Sequence, residues 1–226
     1  IQREGIAKPF EKILVREEIK VKPVPYFGMI NNNIGYIKLN SFTENSGREV
    51  ADALKELKSK NTLSGLVLDL RGNPGGLLNE AVNISNIFIP RGQEIVSTKG
   101  RYKDADRAYK AINEAVDTEL PLAVMVNSGS ASASEIVSGS LQDLDRAVII
   151  GQRTFGKGLV QTTRPLSYNS QIKITTSKYY IPSGRCIQKV NYAKNSDVIS
   201  EKDSVVKETF STDNKRVVYS AGGISP

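Results

Sequence analysis

The stretch "LAVMVNSGSASASEI", residues 122–136, decides the fold. Its first five residues are an apolar run of strand length. A loop of asparagine, serine and glycine follows. Ser132 and Glu135 then make S-x-x-E, a helix-start signature, with Ile136, Val137 and Leu141 on one apolar face behind it. Strand, polar loop and helix in that order are the unit of an α/β protein.

The same punctuation recurs on both sides. Upstream, "GYIKLN" from Gly35 reads as a strand and "SGREVADALKELKSK" as a helix. Ser46 and Glu49 predict a capping box there, and Val50, Leu54 and Leu57 share one face. "GLVLDL" is a fully apolar strand of the kind buried on both faces, "RGNPGG" a turn, and residues 77–88 a second helix. Downstream, the serine-led helix runs to about Leu144 and "AVII" is a strand. "GLVQTTRPL" and "QIKITTSKYYI" are β-branched and alternating, so both read as strands. Residues 1–22 read as two short strands around "EGIAKP", closing in the alternating "EIKVK". Residues 23–34, with Pro23, Pro25, Gly28 and an asparagine run, read as a linker. The expected architecture is an α/β core over residues 35–190, with a mainly parallel sheet and packed helices. A polar C-terminal extension over 191–226 contains a late strand, "KRVVYS".

Composition narrows the function. At 226 residues, 39% hydrophobic and 24% charged, the chain suits one large globular domain. No apolar run approaches the ~18 residues of a membrane span. The net charge is +7, but the basic residues are spread along the chain without interleaved aromatics, which argues against nucleic-acid binding. The single Cys186 excludes an internal disulfide and a cysteine metal cluster. It fits a reducing compartment or a disulfide-free exported protein. The opening "IQREGIAKPFEK" reads as a processed or truncated start. Histidine is absent, which removes the commonest metal ligand and the usual general base.

That absence sharpens the question of chemistry. Ser128, Ser130, Ser132 and Ser134 occupy alternate positions between strand and helix. A serine nucleophile needs a base, and the loop "GQRTFGKG", residues 151–158, offers Lys157. The loop also resembles G-x-x-x-x-G-K, a phosphate-binding loop, with Asp69 ending an apolar strand as a nucleotide hydrolase requires. Two details oppose nucleotide binding. Position 158 is glycine rather than the magnesium-holding hydroxyl, and "LVQTT" is strand-forming where a helix should begin. A serine–lysine dyad answers the question without histidine. It requires a neutral lysine: the unperturbed pKa is ~10.4, and catalysis near neutrality wants ~7–8. Burial in an apolar site lowers a lysine pKa by that much.

Ser132 can serve as cap or as nucleophile. As nucleophile it places the Ala133 N–H at the oxyanion. A second donor should come from "NPGG", from Gly76 or alternatively Gly75, because glycines permit close backbone approach. A plain tight turn accounts for the same four residues.

"SASASEI", "QD", "TFGKGLVQ", "LVLDLRGNPGGLL" and "YYIPSGRCIQ" together resemble the C-terminal processing peptidases, the tail-specific serine proteases. The likeness runs over residues 35–188. The family's dyad residues stand 25 apart, and counting back 25 from Lys157 reaches Ser132. The resemblance implies that Gln161, four residues after the lysine, helps position it. It makes Asp143 and Glu135 supporting acids. It implies a crotonase-like core preceded by a substrate-capturing PDZ domain, of which residues 1–22 resemble the closing strands. The ending "SAGGISP" resembles an internal family segment, so the C-terminus reads as cut. The implied activity is endopeptidase cleavage of protein substrates at or near their C-terminal tails, without metal or cofactor. The implied location is the bacterial periplasm or cell envelope, compatible with peripheral envelope association and a homo-oligomer. The competing expectation is a non-catalytic crotonase-like binding or scaffold module.

Overall fold

The computed structural model describes residues 1–17, 21–101, 103, 106–189 and 208–226. The ordered core opens with a hairpin, β1 (Tyr26–Met29) and β2 (Ile34–Lys38). Helix α1 (Ser46–Lys60), β3 (Gly65–Asp69) and α2 (Leu78–Asn86) follow. An antiparallel pair, β4 (Glu94–Gly100) and β5 (Arg107–Lys110), precedes β6 (Leu122–Val126), α3 (Ala133–Asp143) and β7 (Val148–Gly151). The long strands β8 (Leu159–Pro165) and β9 (Gln171–Tyr180) come next, then the short pair β10 (Thr209–Ser211) and β11 (Val217–Tyr219).

The main sheet has the order β1-β2-β3-β6-β7. Strands β2, β3, β6 and β7 run parallel, and β1 pairs antiparallel at the edge. Each crossover steps to the next strand in the same direction, so the order never reverses. Helix α2 packs against both α1 and α3. The inward residues Leu66 and Leu68 of β3, Val124 and Val126 of β6, and Ile149 of β7 join Val50, Leu54, Leu57, Ile136, Val137 and Leu141 in one buried cluster. Each such side chain contributes about 1.5–3 kcal/mol by leaving water.

The second sheet, β5-β4-β9-β8, is antiparallel throughout. The architecture is therefore mixed α/β: the parallel sheet expected from the strand–helix alternation, plus an antiparallel sheet built on the β8–β9 hairpin. The β-branched strands "LVQTTRP" and "QIKITTSKYY" form that hairpin.

Four expectations need correction. Residues 23–34 are not a linker: they contain β1, which the asparagine-rich turn folds back onto β2. The turn is fixed by Asn31 Oδ1, which accepts the N–H groups of Asn33 and Ile34. Residues 1–17 form no strand; Ile13, Leu14 and Val15 lie exposed with no neighbouring strand to pair with among the described residues. Residues 18–20, in the expected "EIKVK" strand, and the 190/191 boundary lie outside the described residues. The Ser46–Glu49 capping box does not form. Ser46 Oγ instead donates back to the Thr43 carbonyl at 2.6 Å, and Asn45 takes the cap position in a left-handed conformation. Finally, the apolar run "LAVMV" is not the fully buried strand that its sequence suggests: Ala123 and Met125 of β6 are half-buried.

Candidate active site

Strands β3, β6 and β7 lie side by side and run the same way, so the loops leaving their carboxyl ends are neighbours. These loops are "RGNPGG", "NSGSAS" and "GQRTFGKG". Polar side chains tie them together. Asn127 Oδ1 accepts the Gly72 N–H at 2.8 Å. Ser130 Oγ donates to the Leu70 carbonyl at 2.8 Å, and the Ser130 carbonyl accepts the Phe155 N–H at 3.0 Å. Asn73, at the centre of the first loop, accepts from Ser134 Oγ at 2.9 Å and from the Ala131 N–H at 3.0 Å through its carbonyl.

These bonds separate the four alternating serines. Ser130 and Ser134 are fully buried, and their hydroxyls are spent on backbone carbonyls. Ser128 is exposed and lines a large outer cavity. Ser132 is half-buried and lines a smaller cavity of about 250 Å³ together with Ala133, Gly76, Lys157 and Gln161. The structure thus brings together five of the residues singled out by sequence.

Ser132 has φ 56° and ψ −111°. A residue bearing a Cβ in this region is strained, and such strain collects where the surroundings over-determine a functional geometry. Two buried side chains supply that determination. Glu135 is wholly buried and accepts four hydrogen bonds: Ser132 N–H at 2.8 Å and Lys157 N–H at 2.9 Å on Oε2, Gly156 N–H at 2.7 Å and Thr154 Oγ1 at 2.6 Å on Oε1. Burial pushes its carboxyl up from the ordinary value, and these donors pull it part of the way back. Opposite, the Tyr179 hydroxyl lies 3.2 Å from the Ser132 carbonyl and 2.5 Å from that of Lys157. Burial likewise raises the Tyr179 phenol, with the nearby Glu135 charge adding to it, so it stays a donor. The acid grips the N–H groups, and the phenol the carbonyls, of the same two residues.

The glycines sort themselves by hydrogen bonding. The Gly75 N–H is engaged by Asn73 Oδ1 at 2.9 Å. Gly76 bridges Phe42: Phe42 N–H donates to the Gly75 carbonyl, and Leu77 N–H to the Phe42 carbonyl. A bridge of this type turns the Gly76 N–H away from Phe42, and Gly76 lines the Ser132 cavity. Neither position admits a side chain. A Cβ on Gly76 would lie 2.2 Å from the Phe42 carbonyl oxygen, and on Gly75 2.9 Å from Ser132 Cβ. The Ala133 N–H, at the first helical position, has no intrahelical acceptor.

Lys157 is half-buried where the two cavities meet. Gln161 lines both cavities with it, and a β-bulge between Val160 and Gln161 re-aims that stretch of β8. Asp143 lies apart, at the far end of α3. It pairs with buried Arg185 at 2.8 Å and accepts the Ser183 N–H at 3.1 Å, holding the turn after β9. Tyr179, Asn73 and Thr154 were not singled out by sequence. Only the preference of tight turns for asparagine, whose side chain bonds the backbone two residues on, hinted at Asn73.

The phosphate-loop alternative fails on geometry. The Lys157 loop runs on into strand β8 and not into a helix, so it lacks the helix that a phosphate-binding loop must itself open. Asp69 is enclosed by Tyr36, Arg71 and Lys38. Burial pushes its carboxyl up, but hydrogen bonds from Arg71 and Tyr36 outweigh this and hold it below its ordinary value. Among the described residues no acidic or cysteine cluster is arranged to hold a metal.

Comparison with known proteins identifies the family. The family model "Peptidase family S41" matches residues 33–198. The chain is 44% identical over 205 residues to a carboxy-terminal-processing protease of Bartonella bacilliformis, covering 89% of this chain and 46% of that one. It is 40% identical over 189 residues to a carboxyl-terminal-processing protease of Synechocystis, covering 82% of this chain and 43% of that one. The solved photosystem II D1 C-terminal processing protease superposes with a TM-score of 0.65 at 35% identity, covering 75% of this chain and 46% of that one. The chain therefore spans less than half the length of these relatives. It belongs to peptidase family S41.

Proposed function

We propose that this chain is the catalytic core of a serine endopeptidase that cleaves protein substrates at or near their C-terminal tails. Ser132 is the nucleophile and Lys157 the general base. The observation that carries the reading is the shared one: both residues line one cavity, and Glu135 Oε2 accepts both of their N–H groups.

Neutral Lys157 takes the Ser132 Oγ proton as that oxygen attacks the peptide carbonyl carbon. The carbonyl oxygen becomes an oxyanion, held by the N–H groups of Ala133 and Gly76. The tetrahedral species collapses, the C–N bond breaks, and Lys157 returns the proton to the leaving amine. Water, activated by the same lysine, then hydrolyses the acyl-Ser132 ester. Gln161 positions Lys157, and the reaction draws on protein groups and water. The relatives' names support the tail preference. We further infer a crotonase-like core and work outside the cytoplasm, in the bacterial periplasm or envelope. The sequence likeness of residues 1–22 to the end of a PDZ domain supports a tail-capturing partner domain. Envelope association and self-association are part of the same reading.

The test is cleavage of an unfolded protein such as casein by the parent, Ser132→Ala and Lys157→Arg chains. Arginine keeps the charge but cannot become a neutral base. Both variants should lose activity by at least ~10³-fold. Parent-like turnover by Lys157→Arg would overturn the dyad. A non-catalytic binding module would leave casein intact with all three chains.

A further inference from the structure

A second cavity, of about 910 Å³, adjoins the catalytic one and shares Lys157, Leu159 and Gln161 with it. Among the described residues its other charged lining residues are Arg153, Lys178 and Lys189, with no Asp or Glu. The three cations come from separate segments. Arg153 follows β7, with one guanidinium nitrogen 3.6 Å from where a Cβ on Gly222 would stand. Lys178 lies on β9 in register with Leu159. Lys189 is anchored by its N–H to the Gly156 carbonyl at 2.9 Å. The fold gathers them around the loop that presents Lys157.

Several bases elsewhere in the protein face a carboxylate. Lys38 and Arg71 face Asp69, Lys58 faces Asp117, and Arg185 faces Asp143. Arg153, Lys178 and Lys189 have no ion-pair partner among the described residues, and all three are exposed. A concave surface with charge of one sign focuses its field and concentrates ligands of the other. The volume suits several residues of an extended peptide at ~3.3 Å per residue. Phe155, exposed on the same wall, adds apolar contact area.

We propose that this cavity is a subsite for carboxylate groups of the peptide being cleaved, within a few residues of the scissile bond. The inference rests on the protease reading above. Two sources supply a carboxylate: Asp or Glu side chains, and the free C-terminus of the substrate.

Three internally quenched peptides test it at low salt. One is neutral with an amidated C-terminus, the second is its free-acid twin, and the third is the amide carrying two added Glu. Either acidic peptide should be cleaved with about tenfold higher kcat/KM than the neutral amide, and the advantage should shrink as salt is added. A gain confined to the free acid assigns the terminal carboxylate. A gain confined to the Glu peptide assigns side chains. The triple variant Arg153→Glu, Lys178→Glu, Lys189→Glu should reduce the acidic-to-neutral ratio at least fivefold. Reversal of three distant exposed bases, Lys12→Glu, Arg48→Glu and Lys55→Glu, should leave that ratio unchanged. Equal kcat/KM for all three peptides overturns the inference, as does equal loss of the ratio in both triple variants. If no peptide is cleaved, the protease reading fails by itself. Fluorescence anisotropy of the same peptides on Ser132→Ala then decides the subsite: tighter binding of acidic peptides supports it, and equal binding overturns it.

Discussion

The N–H groups of Ser132 and Lys157, 25 residues apart in sequence, end on one atom, Oε2 of Glu135, at 2.8 and 2.9 Å. The spacing between the two residues is thereby fixed by backbone, before either side chain takes a rotamer. A nucleophile and its base must meet to within fractions of an ångström, and a shared anchor achieves this more directly than packing.

Glu135→Gln tests the anchor. An amide offers one acceptor oxygen and one donor nitrogen where four donors converge, so at least one N–H group loses its acceptor. The loss should cost about 2 kcal/mol and lower Tm by about 4–8 °C for a domain of this size. Turnover should fall by about 10²-fold with KM little changed, because Glu135 itself touches no substrate. Steady-state kinetics and calorimetry check both; a variant with parent kcat would show that the anchor is dispensable.

Tyr179→Phe removes the donor facing the two carbonyls and keeps the ring. Stability should drop by about 1 kcal/mol. The expected kinetic signature is a tenfold fall in kcat at constant KM. A rise in KM alone would mean that the phenol acts on substrate binding instead.

Asp143 and Arg185 form an ion pair with almost no solvent access. Burial pulls the Arg185 guanidinium down from its ordinary value, and Asp143 pulls it back up. Asp143→Asn strands that cation and should cost about 3 kcal/mol, read by urea unfolding. The double change Asp143→Leu, Arg185→Met should cost less than the single one. If the single change proves neutral, the pair contributes nothing to stability.

Asp117 links the end of α1 to the loop entering β6, accepting from Lys58 and from the Glu119 and Leu120 N–H groups. Burial pushes its carboxyl up, but the Lys58 bond and the two backbone donors outweigh this and set it at about 2, against 3.8 in the unfolded chain. Its folded value is depressed, so its contribution is fully present above the unfolded value and is lost as pH falls toward 2. Solvent screening limits that contribution to ~1 kcal/mol. Asp117→Asn should be less stable than the parent by that amount at pH 6 and equal to it near pH 2. A gap that persists at pH 2 would rule out the charge as its origin.

Most of the main sheet and all three helices were legible, because Val50, Leu54 and Leu57, or Ile136, Val137 and Leu141, repeat with helical period and end in a shared core. That Ser132 and Lys157 should share one cavity was suggested by the family resemblance, whose dyad residues stand 25 apart, and by the absence of histidine. Some strands were not legible. Tyr26–Met29 follows Pro25 and contains Gly28, and it becomes a strand because Ile34–Lys38 offers it a partner. The edge strand β5 and the interior strand β4 also passed unread. Ser46 shows the limit of a local signature: its S-x-x-E pattern matches that of Ser132, yet its hydroxyl bonds to the preceding turn. The Tyr179 clamp is a contact between chain segments 47 residues apart, and no local pattern announces it.

The left-handed backbone at Ser132 has a cost outside the chemistry. Holding a β-carbon there takes about 1–3 kcal/mol, which glycine would largely recover. Ser132→Gly should therefore melt above Ser132→Ala and above the parent, while cleaving nothing. The proposed nucleophile sits on a strained joint, and a search for heat-resistant variants that ignores turnover would find its loss among the improvements.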